Sequence, residues 1–279
     1  MNLKWQKTGG GDLSAAEALL KKLEPLCVNA CSRFIHREDP DQLWALSGDG
    51  TLSALLIHSR RSLFPLLNGN KNLPVPRFLN GFWGRVSIHT LQGIREDVEL
   101  FEAILDRMGF HLSEKIDYDL MSLDEDPRRE ALAAGPEGLV LRRAGTQDRE
   151  ALFPLQAAYE QEEVLPQDAP FNPAACRLSL ECIVKREQIL AAELNRRLVG
   201  KINTNAESFT RFQIGGVYVL PEYRNRGIAT RMAASLSNRL LAQGKSISLF
   251  VKKQNPAARA VYEKIGFKII GNYRICYYS

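Results

Sequence analysis

The chain has 279 residues, 45% hydrophobic and 25% charged, with a formal net charge of +5. That is enough apolar material for packed cores and excludes a disordered chain, and the length suits two domains of roughly 100–200 residues. No run of about 18 apolar residues exists to span a membrane, no basic run with interleaved aromatics marks a nucleic-acid surface, and Met1–Gly11 lacks the apolar core of a secretion signal, so a cytoplasmic location is expected.

Ser14 and Glu17 have capping-box spacing ahead of Leu19, Leu20 and Leu23, which predicts a first helix. The five cysteines, Cys27, Cys31, Cys176, Cys182 and Cys276, are odd in number and fit no disulfide framework. Cys27, Cys31 and His36 lack a second ligand pair at finger-like spacing, so the cysteines read as small buried hydrophobes and no metal is expected. Leu52–His58 and Ser62–Leu67 read as strands joined at Ser59-Arg60-Arg61, and Arg85–Thr90 as another. Ile94, Val98, Phe101, Leu105 and Met108 lie on one helical stripe that Gly109 stops, and Lys115–Leu123 reads as a closing strand. The charged run Asp124–Glu130 and Gly135-Pro136-Glu137-Gly138 then mark a boundary: an N-terminal α/β domain over 1–125, a linker over 126–138 and a second domain over 139–279.

In the second half, Leu139–Arg143 reads as a strand, Asp148–Gln161 as a helix kinked at Pro154, and Pro173–Lys185 as a further helix. Gln188–Leu194 and Arg197–Thr204 form a hairpin around Asn195-Arg196, followed by a strand over Phe212–Leu220. A helix over Gly227–Leu241 aligns Ile228, Met232, Leu236 and Leu240 and ends by Gly244. Strand Ser246–Val251, helix Pro256–Lys264 and strand Lys268–Tyr278 close the domain. Strands alternating with helices around a hairpin predict an α/β fold with a mixed sheet.

Two segments carry chemistry. In Gly215–Thr230 an apolar strand ends at Pro221, a polar basic turn follows, and a helix begins at Gly227 and Ala229. First-turn amides of a helix lack intrahelical partners and sit at the positive end of its dipole, so they can hold a diphosphate where no side chain blocks the approach. The amides from about Arg226 to Thr230, including Gly227, Ile228 and Ala229, are the expected ligands, with Arg224 and Arg226 adding positive charge beside Asn225. In Asn255–Phe267, Asn255 suits an N-cap, Pro256 the first helical position and Gly266 the exit; Ala257, Ala258 and Ala260 keep the first turns slim enough for a ligand to lie alongside.

Arg224-x-x-Gly227-x-Ala229 resembles the acetyl-CoA diphosphate signature of the GNAT acyltransferase superfamily, and Asn255-x-x-Ala258-x-x-x-Tyr262-x-x-x-Gly266-Phe267 is similar to its closing motif. The resemblance implies a GNAT-like fold for the second half and acetyl-CoA as co-substrate. It implies that the strand before the loop splays from its neighbour, so that Gly216–Leu220 pairs with the pantetheine arm, Val217 and Val219 contributing most and Tyr218 lying between them. It further implies that Asn255 contacts the pantetheine or supports the loop, that Ala258 borders the coenzyme and that Tyr262 protonates the departing thiolate; a packing role for Tyr262 is the other reading.

The acceptor is less legible. Glu160-Gln161-Glu162-Glu163 and Asp168 follow the first helix of the second domain; Glu162 and Glu163 are candidates for attracting a cationic amine, although a solvated helix end would look the same, and Glu207 and Gln213 are weaker candidates. The order of elements in the first half is similar to that in the second, as in tandem GNAT proteins with an eroded first unit. Its matching turn, Leu91-Gln92-Gly93-Ile94-Arg95, lacks the motif, so no coenzyme is expected there. The leading expectation is transfer of an acetyl group from acetyl-CoA to a primary amine of a small molecule or peptide. A non-catalytic acyl-CoA-binding regulatory protein is the alternative, and no nucleic-acid or membrane partner is expected.

Overall fold

A computed structural model of the chain describes residues 3–8, 13–38, 41–48, 51–70, 87–165 and 170–279. They divide into one unit of Met1–Leu120 with Ile270–Ser279, and a second of Met121–Ile269. Among the described residues no helix is long and apolar enough to cross a membrane.

The first unit holds β1 (Lys4–Lys7), α1 (Leu13–Leu23), α2 (Val28–Ile35), β2 (Gln42–Gly48), β3 (Thr51–Ser59), β4 (Ser62–Leu66), β5 (Thr90–Ile94), α3 (Arg95–Arg107) and most of β6 (Leu112–Leu123). The second holds α4 (Arg129–Leu132), β7 (Val140–Ala144), α5 (Arg149–Tyr159), a π-helical turn over Glu160–Val164, α6 (Pro173–Arg186), β8 (Ile189–Leu194), β9 (Arg197–Glu207), β10 (Arg211–Val219), α7 (Ile228–Leu241), β11 (Ser246–Lys252) and α8 (Pro256–Ile265). The last strand, β12 (Lys268–Tyr278), belongs mostly to the first unit.

In the first unit the strand order is β1-β2-β3-β4-β5-β12-β6. Ser14 lies inside α1 rather than ahead of it, and the helix of Cys27 and Cys31 and the strand Gln42–Gly48 were not legible in the sequence. Cys27 and Cys31 are one helical turn apart and buried, with their sulfurs 3.6 Å from each other. The strand expected over Arg85–Thr90 is instead Thr90–Ile94, residues 85 and 86 lying outside those described. It runs directly into α3, so Leu91–Arg95 is strand and helix start rather than a turn. The α3 stripe is buried as its spacing requires: Val98, Phe101, Ile104 and Leu105 enter the core.

β12 differs most from expectation. Read from the sequence it closes the second domain, but it pairs antiparallel with β5 from Tyr273↔Ile94 to Tyr277↔Thr90. Cys276 and Tyr278 join the apolar core with Leu91, Val98 and Phe101. On the same face, two residues before Cys276, Arg274 pairs with Asp117 at 2.7 Å and Glu102 at 3.3 Å. These partners all lie in the first half of the chain, which is why local pattern could not place the strand.

In the second unit the strand order is β11-β10-β9-β8-β7. Asn195 and Arg196 both have positive φ, 52° and 63°, which a two-residue hairpin demands of its central residues. Ile228, Met232, Leu236 and Leu240 of α7 are buried against the sheet, each worth roughly 1.5–3 kcal/mol. The segment read as a linker is in part core: Ala131 of α4 is buried with Ile228 and Met232 in one apolar cluster, and Arg128 N donates to Ile265 O.

Candidate functional site

β10 and β11 are parallel neighbours at only one end. Their register covers Arg211↔Ser246, Phe212↔Ile247 and Gln213↔Ser248 and then stops. From Ile214 to Val219, β10 is paired on its other side with β9 alone, across a bulge between Gly215 and Tyr218. Two parallel strands that part company leave a wedge with backbone groups along its wall, the form in which a sheet accepts an extended ligand as an added strand. Val217 sits in the bulge, half-buried, while the Tyr218 side chain is buried on the α5 face among Leu152, Leu155 and Leu180. Tyr218 can therefore serve the wedge through its backbone only.

The wedge leads to the α7 terminus. After a 3₁₀ turn at Pro221–Tyr223, Asn225 (φ 60°) and Gly227 (φ 77°) take left-handed conformations, and no side chain caps the helix. Arg231 N is the first amide of α7 to reach back to the Gly227 carbonyl. The amides of Ile228, Ala229 and Thr230 thus form the donor group of an open helix start. The sequence reading kept Gly227 small for the ligand, whereas a Cβ there would meet the backbone of Gly135 at 2.8 Å and Ala134 Cβ at 3.4 Å. Gly227 is small because the 134–135 segment lies against it.

Arg224 and Arg226 point differently. Arg224 turns back along β10, donating from Nε to Val219 O at 3.0 Å and from Nη2 to Glu162 Oε2 at 2.6 Å. Arg226 lies over the Tyr223 ring, 5.7 Å from its centroid. Asn255 caps α8, its Oδ1 accepting from Ala258 N at 2.9 Å, which commits both residues to fixing the helix start. Tyr262, on the inward face of α8, is 8% exposed and packs edge-on against Phe267 at 5.8 Å. Burial pushes its pKa above the usual value, and the nearby Tyr159 and Glu163 push it further, so the phenol keeps its proton at neutral pH.

The acidic turn 160–164 is tied to both strands of the wedge. Glu162 accepts from Tyr218 Oη at 2.6 Å on β10 as well as from Arg224, and Glu163 pairs with Lys252 of β11 at 3.4 Å. Burial alone would raise the Glu162 carboxyl pKa, but the hydrogen bonds from Tyr218 and Arg224 bring it below the ordinary range. The Tyr218 phenol is pushed up to about 12, by burial and then by its bond to Glu162. Both acceptor candidates are thus internally paired, and Glu163 also acts on Tyr262. Asp168 lies outside the described residues. Glu207 pairs with Lys245 at 3.1 Å, and Gln213 is buried.

Sequence reasoning missed a polar row on β9, buried at Lys201 and Asn203 and exposed at Asn205. Lys201 is 1% exposed; its Nζ donates to Asn203 Oδ1 at 3.0 Å and to Gly216 O at 2.9 Å and lies 4.8 Å from the Tyr159 ring centroid. Asn203 Nδ2 donates to Asn205 Oδ1 at 3.0 Å. A Cβ on Gly215 would collide with Asn205 Nδ2, and one on Gly216 (φ 59°) with Asn203 Oδ1. The paired glycines of β10 exist to admit this row. The available signal was the alternation Lys201-x-Asn203-x-Asn205, three polar side chains on one face of a strand flanked by apolar ones.

Residues 150–267 match the family model described as the acetyltransferase (GNAT) family. Over 85 residues, 29% of this chain, the sequence is 32% identical to an acetyltransferase of Pectobacterium atrosepticum. Over 86 residues it is 30% identical to an acetyltransferase of Yersinia pestis. The chain spans 57% and 58% of the length of these two curated relatives. Among solved structures, a tandem GNAT protein from the clavulanic acid biosynthesis pathway aligns with 99% of this chain and 98% of its own length, with a TM-score of 0.59 at 15% identity. A GCN5-related N-acetyltransferase from Sphaerobacter thermophilus aligns with 98% of this chain and 94% of its own, with a TM-score of 0.59 at 16% identity. The match to the GNAT family model lies within the second unit, and the fold of the chain is similar to that of a tandem GNAT protein.

Proposed function

We propose that this protein is a cytoplasmic N-acyltransferase that moves an acetyl group from acetyl-CoA to a primary amine of a small molecule or peptide by direct transfer, with its site in the second unit. The observation that carries the reading is the wedge between β10 and β11, which runs from a bulged strand edge to an uncapped helix start. An extended pantetheine suits the first and a diphosphate the second. In this reading the second unit, Met121–Ile269, is the catalytic part.

Bound there, acetyl-CoA supplies an activated acyl group. The backbone of Val217, Tyr218 and Val219 would hold its arm, and the amides from Arg226 to Thr230 its diphosphate, with Asn225 and Arg224 beside them. Asn255 and Ala258 would border it through the start of α8. Tyr262 Oη gives a proton to the leaving sulfur, a role suited to a phenol whose burial keeps it protonated. Glu162 and Glu163 remain the candidate carboxylates for a cationic amine, which would have to compete with Arg224 and Lys252 for them. No metal has a part in this chemistry.

The first unit offers the coenzyme a poorer wall. Pro65 lies within β4 and has no N–H to give, a Cβ at Gly93 of β5 would meet Pro65 O at 3.3 Å, and the Leu67 amide is already bonded to Asp97 at 2.9 Å. The reading therefore places one coenzyme per chain.

Calorimetric titration of the full chain with acetyl-CoA, followed by a screen of amines for release of free CoA, tests the proposal. One-to-one binding with turnover of at least one amine is expected. Binding without turnover across a broad panel would favour a regulatory acyl-CoA-binding protein, and no binding would refute both readings.

A further inference from the structure

Lys201 is the least explained residue of the second unit, because burying an amine in a protein interior is costly without a purpose. Burial brings its pKa down to about 7, against the opposing pull of the Glu160 carboxylate. Four elements meet around its Nζ: Tyr159 at the end of α5 with Glu160 after it, Cys176 on α6, Asn203 on β9 and Gly216 on β10. The Cys176 thiol, pushed up to about 12 by burial and then by Glu160, stays protonated, so Glu160 is the anion that faces the amine.

The amine donates to the Gly216 carbonyl at 2.9 Å inside the β10 bulge. A trans peptide is planar, with its C=O and N–H directed oppositely. The Val217 N–H therefore points away from Lys201 and from β9, on the side where β10 has parted from β11. Within the bulge Val217 has no partner in the β9 register, which pairs Gly215 with Asn203 and then Tyr218 with Lys201.

We propose that Lys201 is a positioning residue for acyl transfer: its buried amine holds the Gly216 carbonyl and so fixes and polarises the Val217 amide as a hydrogen-bond donor to the acyl carbonyl of a bound thioester. This rests on the acyltransferase reading above. Such a donor must be aimed before the substrate arrives, since preorganisation is what makes an amide effective toward developing negative charge on oxygen. A backbone bulge is soft by itself; a charge-assisted bond to its carbonyl removes that freedom and strengthens the opposite N–H as a donor. Asn203 Oδ1 accepts a second bond from the amine and is itself held by Asn205, and Gly215 and Gly216 leave room for these side chains.

Isotope-edited infrared spectroscopy of the full chain with acetyl-CoA labelled with carbon-13 at the acetyl carbonyl tests the assignment. In the natural protein the bound carbonyl band should fall to lower frequency than in free acetyl-CoA. In Lys201→Met, of similar length but without a donor, the band should return towards the free value. The preference for acetyl-CoA over CoA should drop by about tenfold, the loss of one hydrogen bond, while CoA itself binds as before. Should Lys201→Met not fold, the natural protein carries the test: the band should rise in frequency as the pH passes upward through about 7 and the amine loses its charge. A band unmoved by the substitution in a folded, CoA-binding variant, or constant across that pH range, overturns the assignment. Failure of the natural protein to bind CoA at all refutes the acyltransferase reading, and this assignment with it.

Discussion

Gly227→Ala isolates the backbone geometry on which the candidate site depends. The residue has φ 77°, and an alanine in that left-handed conformation costs roughly 1–2 kcal/mol. The added methyl would also lie 2.8 Å from the backbone nitrogen of Gly135, a contact with main chain rather than with a movable side-chain end. Relieving such overpacking costs about 1–3 kcal/mol. The two together come to roughly 2–5 kcal/mol, a large share of the 5–15 kcal/mol typical of a whole domain. Urea unfolding, followed by a signal from the second unit, should show the midpoint falling with little change in slope. Asn225→Gly is the control. That position also has positive φ, 60°, but is exposed, so glycine there should leave stability nearly unchanged. If Gly227→Ala unfolds at the same urea concentration as the natural protein, the packing of residues 134–135 against the loop is not as described.

Tyr262→Phe should keep acetyl-CoA affinity within a few-fold and lower turnover by about 10²–10⁴, the range for loss of a general acid; equal turnover in steady-state assays would leave Tyr262 with packing alone. Glu162→Gln removes the ion pair that occupies Arg224, both members of which are about two-fifths exposed, so coenzyme affinity should rise by no more than about fivefold; weaker binding by calorimetry would show that Glu162 supports the loop rather than competing for it. In the first unit Asp97 is pushed up to about 6 by burial, partly opposed by the Leu67 amide. Its folded pKa exceeds its unfolded one, so the native state keeps the proton longer and unfolding free energy should fall as pH rises from about 4 to 6. Asp97→Asn should flatten that part of the stability–pH curve, and an unchanged slope would count against the burial that produces it.

What could be read from the sequence was whatever depends on near neighbours in the chain. The α3 stripe, the Asn195-Arg196 hairpin, the α7 helix beginning after Gly227 and the Asn255 cap each follow from periods, turn preferences and capping rules that act over a few residues, and the coenzyme segment could be named for the same reason. What needed the tertiary structure depends on partners far apart. β12 pairs with β5, and the face that carries Arg274, Cys276 and Tyr278 meets apolar and acidic residues from the first half of the chain; no local pattern carries that information. Ala131 is core because α7 lies over it. Lys201, Asn203 and Asn205 gain meaning only where β10 brings two glycines opposite them. Arg224 and Glu162, 62 positions apart, form a pair that the chain order conceals. Backbone propensity is a local free energy and can be read along the chain. Burial and charge pairing depend on distance in space, and only the folded chain sets those distances.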